Sequence, residues 1–418
     1  MKILYITFEN PAIETILAGM KDEELWGLPA LYYPFKMLAE RGHMVDILLI
    51  TDRDFDVVPS RYFRKRNLIL IKLKRKGAVG KLEIPIRMVR AVRRLIKERH
   101  YDFVYGMGEG TYPGVTAAYR MGVPAALRQY GTQEMANVLE KIQGKAARLF
   151  KSVREYPYIT MSMHGKMTFL LATNDGSRAD ELYHILGITE RSFAFYFWRS
   201  GVYIPDQRPE LEFDGKGEYP QVYSPMQLSH IGRIADVKRQ DRSVRILGEL
   251  HKRGYPFHLH LVGYPSGDTM LKAVVDTARE YGIEDYVHVE GEQPQRICRQ
   301  FGRNSLATLL VGEWNRVNIF YEVMGEGAVV LTNNNHSIDE FIEDGVNCLV
   351  YEENQYGQAA ERIIELLNHP EQAEEIRKAA YCTARDRFMS IDKRFGLEVQ
   401  LIETAAQGNS ISQFPSVL

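Results

Sequence analysis

Cysteine is scarce. The chain has three, Cys298, Cys348 and Cys382, widely spaced in 418 residues. That count makes neither a disulfide framework nor a zinc site and fits a reducing cytoplasm. Long apolar runs are missing too. No stretch approaches the roughly eighteen apolar residues that a membrane span needs. The opening MKILYITFENP reads as one strand closed by a polar turn, not as the basic, apolar and small pattern of a signal peptide. A cytoplasmic protein, at most peripheral at the inner membrane face, is expected. Overall charge is nearly absent, at −1. No G-x-G-x-x-G follows the first strand, which weighs against a nicotinamide dehydrogenase. The glycines at 77–81 (GAVGK) and from Gly106 (GMGEGTYPG) lack Walker spacing. No metal-ligand cluster is visible, so neither a metal nor a resident cofactor is expected.

What is present is an ordinary globular composition, 45% apolar and 26% charged. The length accommodates two domains with full cores. Residues 2–8 read as a strand, 28–41 as an amphipathic helix stopped by Gly42, and 44–50 as a second strand, with a long loop after the first. Further strands are expected at 68–74, 102–105, 124–128, 158–164 and 169–173, the last either a strand or a helix start. Asn174 or Asp175 is expected to cap a helix that ends at Gly187. Residues 203–225 hold four prolines and two glycines and read as a linker. A second alternating series follows: strands 227–231, 257–263, 286–290 and 306–310, and helices 239–253, 268–281 and 294–302. Helices near 355–367 and 370–386 close it. The expectation is an α/β chain of two doubly wound, Rossmann-like domains facing across a cleft. The tail 408–418 is expected to be disordered.

The near-neutral total hides an asymmetry. Between residues 61 and 100, fifteen Lys and Arg stand against Glu83 and Glu98, a local balance of +13. Helix 83–99 carries Arg87, Arg90, Arg93, Arg94 and Lys97 beside an apolar stripe. Two readings stand: a membrane-surface element, or a core-packed helix with a solvated basic face. Nucleic acid fits poorly, because no aromatic platform is interleaved.

Residues 322–351 read as helix, strand, helix, strand. The apolar run 328–332 (AVVLT) suits a buried parallel strand. Asn333, Asn334 and Asn335 break the chain at its carboxyl end, and a helix is expected to start near Ser337. Ligands of open α/β sheets sit outside the carboxyl ends of strands and at helix N-termini. An ordinary αβ unit with solvated acids is the plainer alternative. Upstream, in HIGRIADVKRQDRSV, Gly232, Arg233 and Lys238 follow a strand and open a helix, an arrangement suited to a diphosphate.

Together, G-R-x4-K, then E-x-M-x-x-G-x-V-V, then D-E-x-x-x-D-G-x-N resemble the GT-B-fold glycosyltransferases of family 4, which are retaining and use nucleotide sugars. The opening KILYIT, the segment AERGHMVDILL, FWRSGVYIP, HLHLVGYPSG, TNDGSRADEL and MSIDKRF are similar to segments of that family. The resemblance implies domains at 1–202 (acceptor) and 226–386 (donor), with 203–225 as linker and 387–407 as a last helix returning to the first domain. It implies that Gly232, Arg233 and Lys238 hold the donor diphosphate and that Arg233 and Lys238 stabilise the leaving group. Glu322 would bind the donor ribose, and Asn334, Asn335, His336 and Ser337 would lie beside the donor. The first Glu of the family's E-x7-E falls at Trp314, leaving Glu313, one place early, as the catalytic candidate. Gly27, Tyr130, Gly131 and Thr132 correspond to the acceptor or sugar pocket, with Tyr130 where many members have His. The implied partners are a nucleotide-sugar donor and a glycan or lipid-linked acceptor of cell-surface polysaccharide assembly; the basic segment itself points to an anionic membrane surface through 61–100. The departures at Trp314 and Tyr130 keep open a non-catalytic nucleotide-sugar-binding protein of the same fold. A nucleotide-sugar 2-epimerase is disfavoured, since its acid/base constellation is not apparent.

Overall fold

The computed structural model describes residues 1–9, 29–51, 68–72, 78–174, 177–211, 224–314, 318–335 and 337–418. The chain divides into two units, Met1–Ser200 with Asp392–Leu418, and Gly201–Ile391.

In the first unit, β1 (Lys2–Phe8), β2 (Met44–Thr51), β3 (Leu68–Lys72), β4 (Phe103–Met107), β5 (Ala125–Gln129), β6 (Phe169–Thr173) and β7 (Ala194–Trp198) form one parallel sheet, ordered β3-β2-β1-β4-β5-β6-β7. The helices are α1 (Pro29–Glu40), α2 (Ala78–Arg99), α3 (Tyr112–Tyr119), α4 (Gln133–Glu140), α5 (Lys145–Glu155), α6 (Pro157–Met163), α7 (Ala179–Leu186) and, from the far end of the chain, α14 (Ile391–Ala406). Successive strand residues point to opposite faces, and the core divides accordingly. Ile3, Tyr5, Ile47 and Leu49 pack with Val399, Leu401 and Ile402 of α14. Leu4, Ile6, Leu48 and Ile50 pack with Met88, Val92 and Leu95 of α2.

The returning helix also completes a buried ionic cluster. Glu398 accepts from the Arg128 guanidinium, from Arg394 Nη1 at 2.9 Å and from Tyr105 Oη at 2.7 Å. Burial alone would raise the Glu398 carboxyl, but Arg128, Arg394 and Tyr105 together hold it below the usual range.

The second unit repeats the architecture with β8 (Ser224–Ile231), β9 (His258–Val262), β10 (Val287–Gly291), β11 (Ser305–Leu310), β12 (Val330–Asn334) and β13 (Leu349–Glu352), ordered β10-β9-β8-β11-β12-β13 and all parallel. Its helices are α8 (Gln240–Lys252), α9 (Asp268–Tyr281), α10 (Gln295–Asn304), α11 (Asn318–Gly325), α12 (Tyr356–Asn368) and α13 (Pro370–Arg387). Both sheets place their first strand inside the sheet, and the strand order reverses beside it. The reversal falls between β1 and β4 in one and between β8 and β11 in the other.

Three expectations are corrected. Residues 158–164 were expected as a strand, but Pro157–Met163 is a helix. A short apolar run does not by itself distinguish the two. Pro157 suits a first helical turn, and Thr160 Oγ1 bonds back to Tyr156 O at 2.9 Å. The helix expected near Ser337 does not form. Asn335 Oδ1 accepts from both the Ser337 amide at 2.8 Å and its hydroxyl at 2.6 Å, and Asn347 bonds Glu343 N and Phe341 O. Side chains thus claim backbone groups that a helix would need. The tail 408–418, expected to be disordered, packs on β7: Trp198 Nε1 donates to Pro415 O at 2.6 Å, Tyr196 Oη to Ile411 O at 2.6 Å, and Phe197 bridges Val417 in parallel. Two aromatic donors at the sheet edge anchor that tail. Most of the 203–225 segment, and Asp175, lie outside the described residues. α7 is preceded by Arg178 in a left-handed conformation, φ 57°.

Candidate functional site

In the second unit, the loops at the carboxyl ends of adjacent strands are tied edge to edge. Gly263 N donates to Gly291 O at 2.8 Å, and Gly232 N to Val262 O at 2.9 Å. Glu313 N donates to Val237 O at 3.0 Å, and Asn335 Nδ2 to Gly312 O at 3.2 Å. The Glu313–Val237 bond bridges β8 and β11 across the point where the sheet reverses, the position at which doubly wound sheets bind ligands.

Glycine is needed at two of these joints. Gly232 has φ 148° and Gly263 φ 151°. A Cβ on Gly263 would stand 2.2 Å from Gly232 O, so only glycine lets the two loops meet this closely.

Arg233 follows Gly232 and is exposed, and Lys238 closes a short 3-10 turn, Asp236–Lys238. Gln240 fixes this loop from below. Its side chain is fully buried, accepts from Ala235 N at 3.4 Å and donates to Arg233 O at 3.0 Å. Under the loop, His230 meets Ser243 Oγ at 2.8 Å. Burial, and then the charge of Lys238, push the His230 imidazole down to about 3. The lysine's field therefore reaches the strand below, and His230 stays neutral at physiological pH.

Glu313 is 58% exposed and accepts from Arg239 Nη1 at 3.2 Å. Arg239 adopts φ 53° and grips Asp241 through Nε and Nη2, both at 2.9 Å. Asp236, Val237, Arg239, Asp241 and Glu313 line a hollow of about 370 Å³ with Met270 and Ala273. Arg239, Gln240 and Gly263 were not singled out from sequence. The closely spaced charges in KRQDR were the available signal for Arg239.

Glu322 lies on α11 and is 4% exposed. Among the described residues, none hydrogen-bonds its carboxylate. Burial pushes its carboxyl up, Arg299 opposes that, and Glu326 adds to it. Arg299 is engaged elsewhere: its Nε donates to Glu326 at 3.2 Å, and its guanidinium lies 3.8 Å from the Tyr203 ring centroid. Asn334 donates to Glu352 at 3.0 Å and is exposed. Asn335 and Ser337 are bonded to each other as described above. His336 lies outside the described residues.

In the first unit, Tyr130, Gly131 and Thr132 follow β5. Tyr130 Oη donates to Ala30 O at 3.5 Å, and the Arg128 guanidinium sits 5.4 Å from its ring centroid. Gly131 has φ 62°. Thr132 is buried and donates its hydroxyl to Ser177 O at 2.6 Å, which gives that hydroxyl a structural partner. Gly27 lies outside the described residues.

Residues 224–383 match the family described as Glycosyl transferases group 1. No curated protein matches the chain. Solved structures match its fold over nearly the whole length. Anabaena HepE in complex with UDP and glucose is 14% identical, with 96% of this chain and 99% of that one covered and a TM-score of 0.63. WaaG, a glycosyltransferase involved in lipopolysaccharide biosynthesis, is 17% identical over 96% and 99%, TM-score 0.62. Sucrose-phosphate synthase from Thermosynechococcus elongatus is 12% identical over 97% and 100%, TM-score 0.65. The two parallel sheets are thus those of the GT-B fold. Arg233, Lys238, Glu313, Glu322, Asn334, Asn335 and Ser337 all fall inside the matched span. A buried carboxylate that none of the described residues hydrogen-bonds, as at Glu322, costs stability.

Proposed function

We propose that the chain is a retaining glycosyltransferase that takes its sugar from a nucleotide-sugar donor bound by the second unit. The observation that carries this is Glu322: a buried carboxylate, unpartnered among the described residues, in the same domain as two cations on the loop after β8. A ribose hydroxyl pair supplies donors to Glu322, and Arg233 and Lys238 offer positive charge to a diphosphate. The UDP and glucose bound by HepE support a UDP-sugar as donor.

Glycosyl transfer passes through an oxocarbenium-like state while negative charge grows on the leaving diphosphate. Arg233 and Lys238, held by Gln240 and the Gly232–Gly263 crossing, stabilise that charge more than they stabilise the bound ground state. They take the part that a divalent ion plays elsewhere. The acceptor, a glycan or a lipid-linked intermediate of cell-surface polysaccharide assembly, meets the first unit near Tyr130. The role of WaaG in lipopolysaccharide biosynthesis supports that class. Among the described residues, no helix is long and apolar enough to cross a membrane. The basic face of α2, where Arg87, Arg90 and Arg94 flank a hollow of about 310 Å³, supports an anionic acceptor.

Arg233→Ala and Lys238→Ala are each expected to lower kcat by about a hundredfold to a thousandfold, with the melting temperature unchanged. Near-wild-type transfer by either would remove the mechanism. A second reading, donor binding without turnover, is favoured by Glu313, whose carboxylate is held by Arg239 and largely faces solvent. Saturable donor binding with no transfer and no donor hydrolysis would select it.

A further inference from the structure

Helix α5 is built inside out. Its sequence is KAARLFKSVRE. Ala146, Leu149, Phe150 and Val153 recur at the i, i+3, i+4, i+7 spacing that normally faces a core. Here that stripe faces outward: Leu149 is 42% exposed, Phe150 70% and Val153 53%, and Ala146 is exposed as well. The polar side is the one turned to the protein. Ser152 is the helix's buried residue. Arg148 donates from Nε to Ile142 O at 2.7 Å and from Nη1 to Ile185 O at 3.3 Å. Met161 on the next helix adds a further side chain that is 50% exposed.

An exposed stripe of this kind marks an interaction surface, and its surroundings select the partner. Lys145, Lys151 and Arg154 belong to the helix itself, Lys141 precedes it and Lys166 follows the next helix in the chain. The one carboxylate of α5, Glu155, is already paired with Lys151 at 2.6 Å and Arg154 at 2.8 Å. Apolar side chains rimmed by cations match an anionic lipid surface, where the stripe enters the acyl boundary and the cations meet headgroup phosphates. A second copy of the chain fits less well, because a two-fold interface sets the same patch against itself and brings like charges together.

We propose that α5 is a membrane-docking helix that seats the first unit on an anionic lipid surface. This does not rest on the nucleotide reading. In flotation with vesicles of phosphatidylglycerol and phosphatidylethanolamine at low salt, the full chain rises with the vesicles; with pure phosphatidylcholine it does not. The Leu149→Ser, Phe150→Ser double variant loses vesicle partitioning by about tenfold or more. Its circular dichroism and melting temperature stay unchanged, because both side chains are exposed. Lys141→Glu with Lys145→Glu weakens binding at low salt and erases its salt dependence in part. The proposal is overturned if wild type fails to float, if the serine variant floats as well as wild type, or if sedimentation shows a dimer that the serine variant dissolves. The donor-induced thermal shift, measured on the same samples, is expected to be unaffected, so failure here and failure of the nucleotide reading are told apart.

Discussion

Glu322 bears the clearest conflict between stability and function. Its carboxyl is raised by burial, with Glu326 adding and Arg299 opposing. A raised folded-state value means that the protonated form stabilises the fold below the ordinary carboxyl range, and that this contribution is lost as pH rises through the folded value. At neutral pH, above the ordinary carboxyl range, the acid therefore costs stability. Glu322→Gln is expected to raise the melting temperature at pH 7, where each kcal/mol is worth roughly 2–4 °C in a unit of this size. The gain should shrink as the pH is lowered toward about 4, where the wild-type group is neutral too, and donor affinity should fall. Calorimetry across that range checks both; a variant that melts lower than wild type at pH 7 would contradict the account. Glu322, Arg233 and Lys238 could be singled out as candidates because residue type and spacing show along the chain. Gln240 was not, since a buried amide bracing a loop leaves no pattern along the chain. The pairing of Glu313 with Arg239 depends on two loops that only the fold brings together.

Among the elements, strands and long helices were read closely. Lys2–Phe8 and Asp268–Tyr281 fall where apolar runs and periodicity put them. The failures were local contests: a helix at Pro157–Met163 whose short run reads equally as a strand, and a helix near Ser337 displaced by Asn335 and Asn347. The joint between the β8 and β9 loops is the element on which the candidate site is mounted. Gly263→Ala forces a Cβ to 2.2 Å from the Gly232 carbonyl. We expect a loss of about 1–3 kcal/mol in urea denaturation together with weaker nucleotide binding, because Arg233 adjoins the displaced peptide. Unchanged binding in the alanine variant would detach the joint from the site.

For the molecule as a whole, the chain leaves its first unit after Ser200 and re-enters it at Asp392. That return brings Glu398 between Arg128 and Arg394, all essentially without exposure. Glu398→Gln leaves two buried guanidiniums with no counter-charge, and removing one partner of a buried pair costs about 3–5 kcal/mol. The variant is expected to lose that stability in chemical denaturation while its nucleotide-induced shift, a property of the second unit, persists. The two αβ series and the returning helix were visible from the sequence. The burial of this cluster was not, because Arg128 and Tyr105 lie hundreds of residues from Glu398 and charged side chains seldom read as core.

The most direct measurement is a thermal-shift panel of UDP, GDP and ADP sugars on wild type, Lys238→Ala and Glu322→Gln. Ligands that bind only the folded state raise its melting temperature. One nucleoside diphosphate class should raise that of wild type and leave both variants where they were. If no nucleotide shifts wild type, or if both variants respond as wild type does, Arg233, Lys238 and Glu322 do not form a donor site.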